Sequence, residues 1–241
     1  MWRELLRGLV DLVWPKRCLA CKKGLGSNSV DNLVCRECWA KIKRNLPPFC
    51  YSCGRHLEKK NLSKNICPAC IKEQPYFDRA FSPCVYEGVL KELIHSFKYQ
   101  GKDYLGSTLS KLMNEFIQEY NLPMDFIDFI IPVPLHKTRL REREFNQAEI
   151  LAKFIAGQFH KELACQQLQR QRYTPSQTEL TPQQRLRNVQ NSFSVTQNYA
   201  FKSKNILLID DVFTTGATAS WAAYALKQAG ANIVFVLTLA S

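Results

Sequence analysis

The chain has 241 residues, enough for one good-sized core and a small appendix, and its 46% hydrophobic and 22% charged content argues against a disordered chain. No apolar run approaches the length of a membrane-spanning helix, so a transmembrane segment is not expected. The formal net charge of +12 is uneven, with 15 Lys/Arg against 6 Asp/Glu in residues 1–77 and 18 against 15 in the remainder.

In residues 1–14, Leu5, Leu6, Leu9, Val10, Leu12 and Val13 alternate with Arg3, Glu4, Arg7 and Asp11. This predicts an amphipathic helix ending before Pro15, and the charges interrupt any signal-peptide core. A cytoplasmic location follows as the expectation, and in that reducing compartment paired cysteines suggest metal before disulfides.

The cysteines come next. Cys18, Cys21, Cys35 and Cys38 form CxxC-x13-CxxC, and Cys50, Cys53, Cys67 and Cys70 repeat it with the same spacing. Each CxxC turn places two thiolates on one edge of a tetrahedron, and a second such turn closes a structural Zn²⁺ site of four thiolates. Two structural zinc ions are therefore expected, with ligands paired either sequentially or interleaved. His56 lies inside the second repeat as a surface residue, and Cys84 and Cys165 read as small core residues. Eight thiolates on two Zn²⁺ lower the front segment by four charges and leave it basic.

That basic surface suits phosphate backbones or acidic ligands, although the same charge also serves solubility alone. The candidate single-stranded DNA contacts are Arg17, Lys22, Lys23, Arg36, Lys41, Lys43 and Arg44. Trp39, Phe49 and Tyr51 are interleaved with them, either to stack on bases or to form the small core of the module.

From about residue 78 the chain becomes an ordinary mixed sequence, which divides it into an N-terminal helix and zinc-binding module at 1–77 and a second domain at 78–241. A strand is expected at 80–86. Helical periodicity follows in Val89, Leu90, Leu93, Ile94 and Phe97, and again over 104–120. Strands at 126–132, 205–209 and 232–239 alternate with helices at 146–159 and 217–229, which implies a parallel sheet with right-handed crossovers. The polar stretch 166–192 is too rich in Gln and Arg to supply core; Thr181, Pro182 and Arg185 suggest one short helix in it.

Residues 205–218, NILLIDDVFTTGAT, run from an apolar strand through two acids and a Thr/Gly turn into a helix. Such a turn aims backbone amides and hydroxyls at one point beside a helix N-terminus, where a dianion is favoured. Asp210 and Asp211 would repel a phosphate, so they suit ribose hydroxyls or a bound Mg²⁺. A capped strand-to-helix turn explains the same residues without a ligand.

The segment IDDVFTTGAT, residues 209–218, resembles the phosphoribosyl-diphosphate motif of type I phosphoribosyltransferases. With IPVPLHKTRLREREFNQAEILA, RYTPSQTELTPQQRLRNVQNSF and the paired CxxC units, nearly the whole chain resembles the ComF family of competence proteins. The resemblance implies a parallel-sheet α/β domain of the type I phosphoribosyltransferase kind, with a small N-terminal four-cysteine double zinc ribbon. It further implies that phosphoribosyl diphosphate, with Mg²⁺, is held by Asp210, Asp211, Thr214, Thr215, Gly216, Ala217 and Thr218, the two acids being the catalytic candidates. His136, Lys137 and Arg139 would meet the diphosphate, and Arg172, Thr174, Gln177, Arg185 and Asn188 would belong to a loop that closes over the substrate.

The implied role is help with incoming single-stranded DNA during natural transformation, beside a competence helicase and recombination proteins and in peripheral association with the inner membrane. A phosphoribosyltransferase with an unidentified acceptor is the alternative, and a purely structural zinc protein leaves the acid-Thr-Gly loop unexplained. The chain departs from the family at Glu144, where Gly is common before Phe-Asn-Gln. If that turn needs a positive φ, Glu144 strains it.

Overall fold

The computed structural model describes residues 16–26, 28–58, 64–172, 190–196 and 201–241. The helix expected in residues 1–14, the short helix of 181–185, and Thr174, Gln177, Arg185 and Asn188 lie outside these residues.

In chain order the elements are β1 (Ser29–Val30), β2 (Val34–Cys35), α1 (Arg36–Ala40), α2 (Pro68–Lys72), β3 (Arg79–Phe81), α3 (Gly88–Tyr99) and α4 (Leu105–Glu119). There follow β4 (Phe129–Pro132), α5 (Lys137–Arg143), α6 (Gln147–Phe159), β5 (Glu162–Leu163), β6 (Leu168–Arg170), β7 (Phe193–Val195), β8 (Asn205–Val212), α7 (Ala217–Gln228) and β9 (Ile233–Ala240). Five strands form one parallel sheet in the order β3-β9-β8-β4-β5. The expected parallel-sheet α/β class is therefore the observed one.

The central strands are covered on both faces, which is why they read as unbroken apolar runs. Alternation along β8 sends Leu207 and Ile209 into one core layer with α3, α4 and α6. Ile206 and Leu208 enter the other, with the alanine-rich face of α7. Small side chains at Ala219, Ala222 and Ala223 let that helix lie close to the sheet.

The short differences from expectation have local causes. The strand expected at 80–86 stops at Phe81, before Pro83, which has no amide hydrogen to donate. The strand expected at 126–132 begins at Phe129, because Met124–Phe126 is a 3₁₀ turn. Lys137–Arg143, for which the sequence suggests no element, is helical, with His136 Nδ1 accepting from the amide of Thr138 at 3.2 Å. β6, inside the polar stretch 166–192, pairs antiparallel with β7, which follows it.

Packing is continuous across residue 77. Cys18, Val34, Cys38 and Ile42 share a core layer with α3 and α4, whereas Cys50, Cys53 and Leu57 share the opposite layer with α7. The cysteine-rich segment thus straddles the β3 edge of the sheet. Buried Asn45 stitches it there, donating to the carbonyls of Gly54 at 2.8 Å and Ser82 at 2.9 Å. Among the described residues no helix is long and apolar enough to cross a membrane.

Candidate functional site

The eight clustered cysteines fall into two sequential quartets, Cys18/Cys21/Cys35/Cys38 and Cys50/Cys53/Cys67/Cys70, with all sulfurs of a quartet within 4.8 Å of one another. Backbone amides already point at the sulfurs: Cys35 N lies 3.4 Å from Cys18 Sγ, and Cys67 N lies 3.3 Å from Cys50 Sγ. Burial raises the Cys18 thiol, but the amides of Cys35, Cys21 and Ala20 outweigh it and bring the group down to about 6. Cys53 and Cys70 help depress Cys50 while their own thiols are raised, Cys70 to about 12. Four crowded thiols cannot all ionise without a cation, and an all-thiolate tetrahedral set fits Zn²⁺. Of the interleaved and sequential pairings, the geometry brings together the sequential one. His56 stays exposed, with Nδ1 2.8 Å from the carbonyl of Leu46. Cys84 is buried, which pushes its thiol up to about 11.

At the other end of the chain, β4 and β8 are neighbours. The connection leaving β4 runs to β5 on one side of the sheet, and that leaving β8 runs to β9 on the other. Parallel α/β sheets bind ligands at such a reversal, beyond the carboxyl ends of the strands. This one carries both candidate loops: His136, Lys137 and Arg139 follow β4, and the acids and Thr/Gly turn follow β8. Gly216 has φ +80, and a Cβ there would lie 2.4 Å from the Phe213 ring, so the turn closes only on glycine. Ala217 is the first residue of α7, and Thr215 Oγ1 accepts from its amide at 3.3 Å.

The two acids are not equivalent. Asp211 is buried and accepts a 2.7 Å ion pair from Lys98 of α3. Burial works against the Lys98 ammonium, but Asp211 and then Asp210 hold it above its ordinary value. Asp210 accepts from the amide of Asp211 at 2.8 Å, and burial, reinforced by the Asp211 charge, pushes its carboxyl up to about 7.

Lys98, Tyr99, Arg139, Arg143 and Glu144 line a crevice of about 260 Å³. Arg143 donates to Tyr99 Oη at 3.0 Å and lies 4.7 Å over its ring. Burial and the charge of Arg139 lower Arg170 to about 10, while Asp210 pulls the other way. Glu144 has φ +66, the left-handed conformation expected if the position favours glycine.

Lys98, Arg143 and Arg170 are absent from the sequence-derived site. Lys98 carried a usable signal: it lies four residues after Ile94 on the apolar side of α3, where a lysine needs a partner. Arg170 sits on a strand too short to show a period.

The DNA candidates divide. Arg17, Lys22, Lys23, Arg36, Lys41 and Lys43 are exposed, Lys43 in a surface pair with Glu87 at 3.1 Å, whereas half-buried Arg44 pairs with Glu115 at 2.5 Å. Of the aromatic residues, Phe49 packs edge-on against Phe116 of α4 and Tyr120 at its C-terminal cap, and Trp39 packs against the first core layer. Only Tyr51 of the three is exposed, and Arg79 lies 5.2 Å over its ring.

Residues 9–71 match the double zinc ribbon domain family. A double zinc ribbon joined to a parallel-sheet α/β domain is the class that the fold and the cysteine quartets define. Over most of its length the chain is similar to Competence protein F of Haemophilus influenzae, at 29% identity over 93% of this chain and 96% of that protein. It is 27% identical to DNA utilization protein YhgH of Escherichia coli K12 over 95% and 98% of the two chains, and 29% identical to Competence protein ComFC of Bacillus subtilis over 83% and 80%. The resemblance to the ComF competence proteins therefore extends to both segments. Among solved structures, the chain is similar to a purine phosphoribosyltransferase from Pyrococcus horikoshii, with 16% identity, TM-score 0.36 and coverage of 56% of this chain and 72% of that one. A hypoxanthine phosphoribosyltransferase from Staphylococcus aureus gives 14% identity, TM-score 0.32 and coverage of 55% and 61%.

Proposed function

We propose that the chain is a DNA-uptake protein that binds single-stranded DNA and phosphoribosyl diphosphate, and that it assists transport or handling of incoming DNA on the cytoplasmic side of the inner membrane. The observation that carries this reading is the similarity to Competence protein F over 93% of one chain and 96% of the other, which embraces ribbon and crevice together. A competence helicase and recombination proteins are the proposed partners.

In this reading the Thr/Gly turn takes the 5-phosphate. Asp211 is committed to Lys98, so Asp210 is the acid proposed to meet a ribose hydroxyl or Mg²⁺, and Lys98, Arg139 and Arg143 face the diphosphate side. Crowded cations around that crevice also suit a departing diphosphate, which supports the second reading, a phosphoribosyltransferase with an unidentified acceptor. Release of diphosphate from phosphoribosyl diphosphate, assayed across nucleobases and polynucleotides, separates the two.

The test of the role is complementation. Expressed in Haemophilus influenzae lacking Competence protein F, the chain should restore transformation, and the Asp210→Asn/Asp211→Asn form should not. Stable, zinc-loaded chain that restores nothing would count against the role.

A further inference from the structure

The second cysteine quartet lies against the phosphate loop. Its Cys50–Cys53 knuckle is fixed on two sides, since the amide of Ala80 donates to Ser52 O at 2.7 Å and the amide of Gly54 donates to Cys50 O at 2.9 Å. Gly54 has φ +71, and a Cβ there would come 2.3 Å from the carbonyl oxygen of Ala80, so the knuckle is seated directly on β3. Arg55, the next residue, is turned outward by this arrangement. Its guanidinium donates to the carbonyls of Phe213, at 3.1 Å, and Thr214, and it lies 5.4 Å over the Phe213 ring. That same ring supports Gly216 from below. A cavity of about 380 Å³ separates the knuckle from the rest of the loop, so Arg55 spans the gap between them.

We infer that Arg55 is a positioning residue for the phosphate loop, and that the second zinc knuckle is its anchor. The inference rests on the phosphate-binding reading of residues 214–218. A carbonyl held by a cation cannot rotate toward the crevice, so the amides that follow it stay aimed at the ligand. Preorganised donors bind an anion without having to be ordered first. The zinc ribbon would then act on the ligand site mechanically, through one side chain 159 residues away in sequence.

Hydrogen exchange on the full-length, zinc-loaded chain tests this without any ligand. Arg55→Ala should speed exchange of the amides of residues 214–218 about tenfold or more, with two zinc ions retained and the β8 and β9 amides unchanged. Arg55→Lys, which can still donate to a carbonyl, should restore most of the protection. Cys70→Ser should lose one of the two zinc ions and show the same local acceleration. Loop exchange equal to wild type in Arg55→Ala, or in Cys70→Ser after loss of one zinc ion, overturns the inference.

Calorimetry with phosphoribosyl diphosphate and Mg²⁺ then separates the two claims. About tenfold weaker binding by Arg55→Ala supports both. If wild type does not bind and the loop still loosens in Arg55→Ala, the brace stands and the ligand reading fails.

Discussion

Asp210 and Asp211 are adjacent in sequence yet do different work. Asp211 is spent on Lys98, whereas Asp210 holds its proton until about pH 7 because burial and the Asp211 charge disfavour a second carboxylate. Between the ordinary carboxylate range and pH 7 the folded chain therefore binds a proton that the unfolded chain has released. The stability attributable to Asp210 is present at low pH and is lost as pH rises through that window. A ligand or Mg²⁺ that needs the charged carboxylate must displace that proton. Affinity for phosphoribosyl diphosphate with Mg²⁺ should rise by up to about tenfold per pH unit from roughly pH 5 to 7, then level off. Calorimetry at four pH values checks this, and affinity that is flat or falling across the range contradicts it.

Both acids and the turn were legible in the sequence because strand, charge, glycine and helix follow one another without interruption. Lys98 was not. Its partner lies 113 residues away, and nothing local in α3 says which acid will meet it. Glu144 was legible as a strained position, and its φ of +66 bears that out.

Among the elements, α4 sets the fate of the ribbon's aromatic residues. Phe49 packs edge-on against the touching rings of Phe116 and Tyr120, with centroids 5.9 and 5.2 Å away, so its area is used in packing and is not offered to a base. Phe49→Ala should destabilise the fold by about 2–3 kcal/mol in urea unfolding, toward the low end for a large aromatic because the ring is half-buried, and should leave single-stranded DNA affinity unchanged. A loss of DNA affinity at unaltered stability would instead make Phe49 a stacking residue.

Residue composition left that choice open, because an aromatic among cations reads the same way in a core or on a stacking platform. The long periodic elements, α4, α6, β8 and β9, were found to within a few residues, since each buries a repeating face. Strands of two or three residues, such as β5, β6 and β7, carry no period and were missed; only their place in the folded chain defines them.

For the whole molecule, ribbon and sheet share both core layers, so removing the front segment would expose the interior. Charge is better tested by substitution on the intact chain. Arg17, Lys23, Arg36 and Lys41 are exposed, whereas Lys43 and Arg44 are engaged with acids. Changing the first four to Glu should weaken single-stranded DNA binding and flatten the plot of log affinity against log salt by about 0.7 for each phosphate that is no longer neutralised. An unchanged slope would move the DNA-binding surface off the ribbon.

The central claim is that a ribose phosphate is held where β4 and β8 diverge, and calorimetric titration of phosphoribosyl diphosphate into the zinc-loaded chain tests it most directly. Saturable, Mg²⁺-dependent binding is predicted, weakened at least about tenfold by Asp210→Asn/Asp211→Asn with folding intact. Equal affinity of wild type and double variant, or no binding by the zinc-loaded wild type, would contradict it.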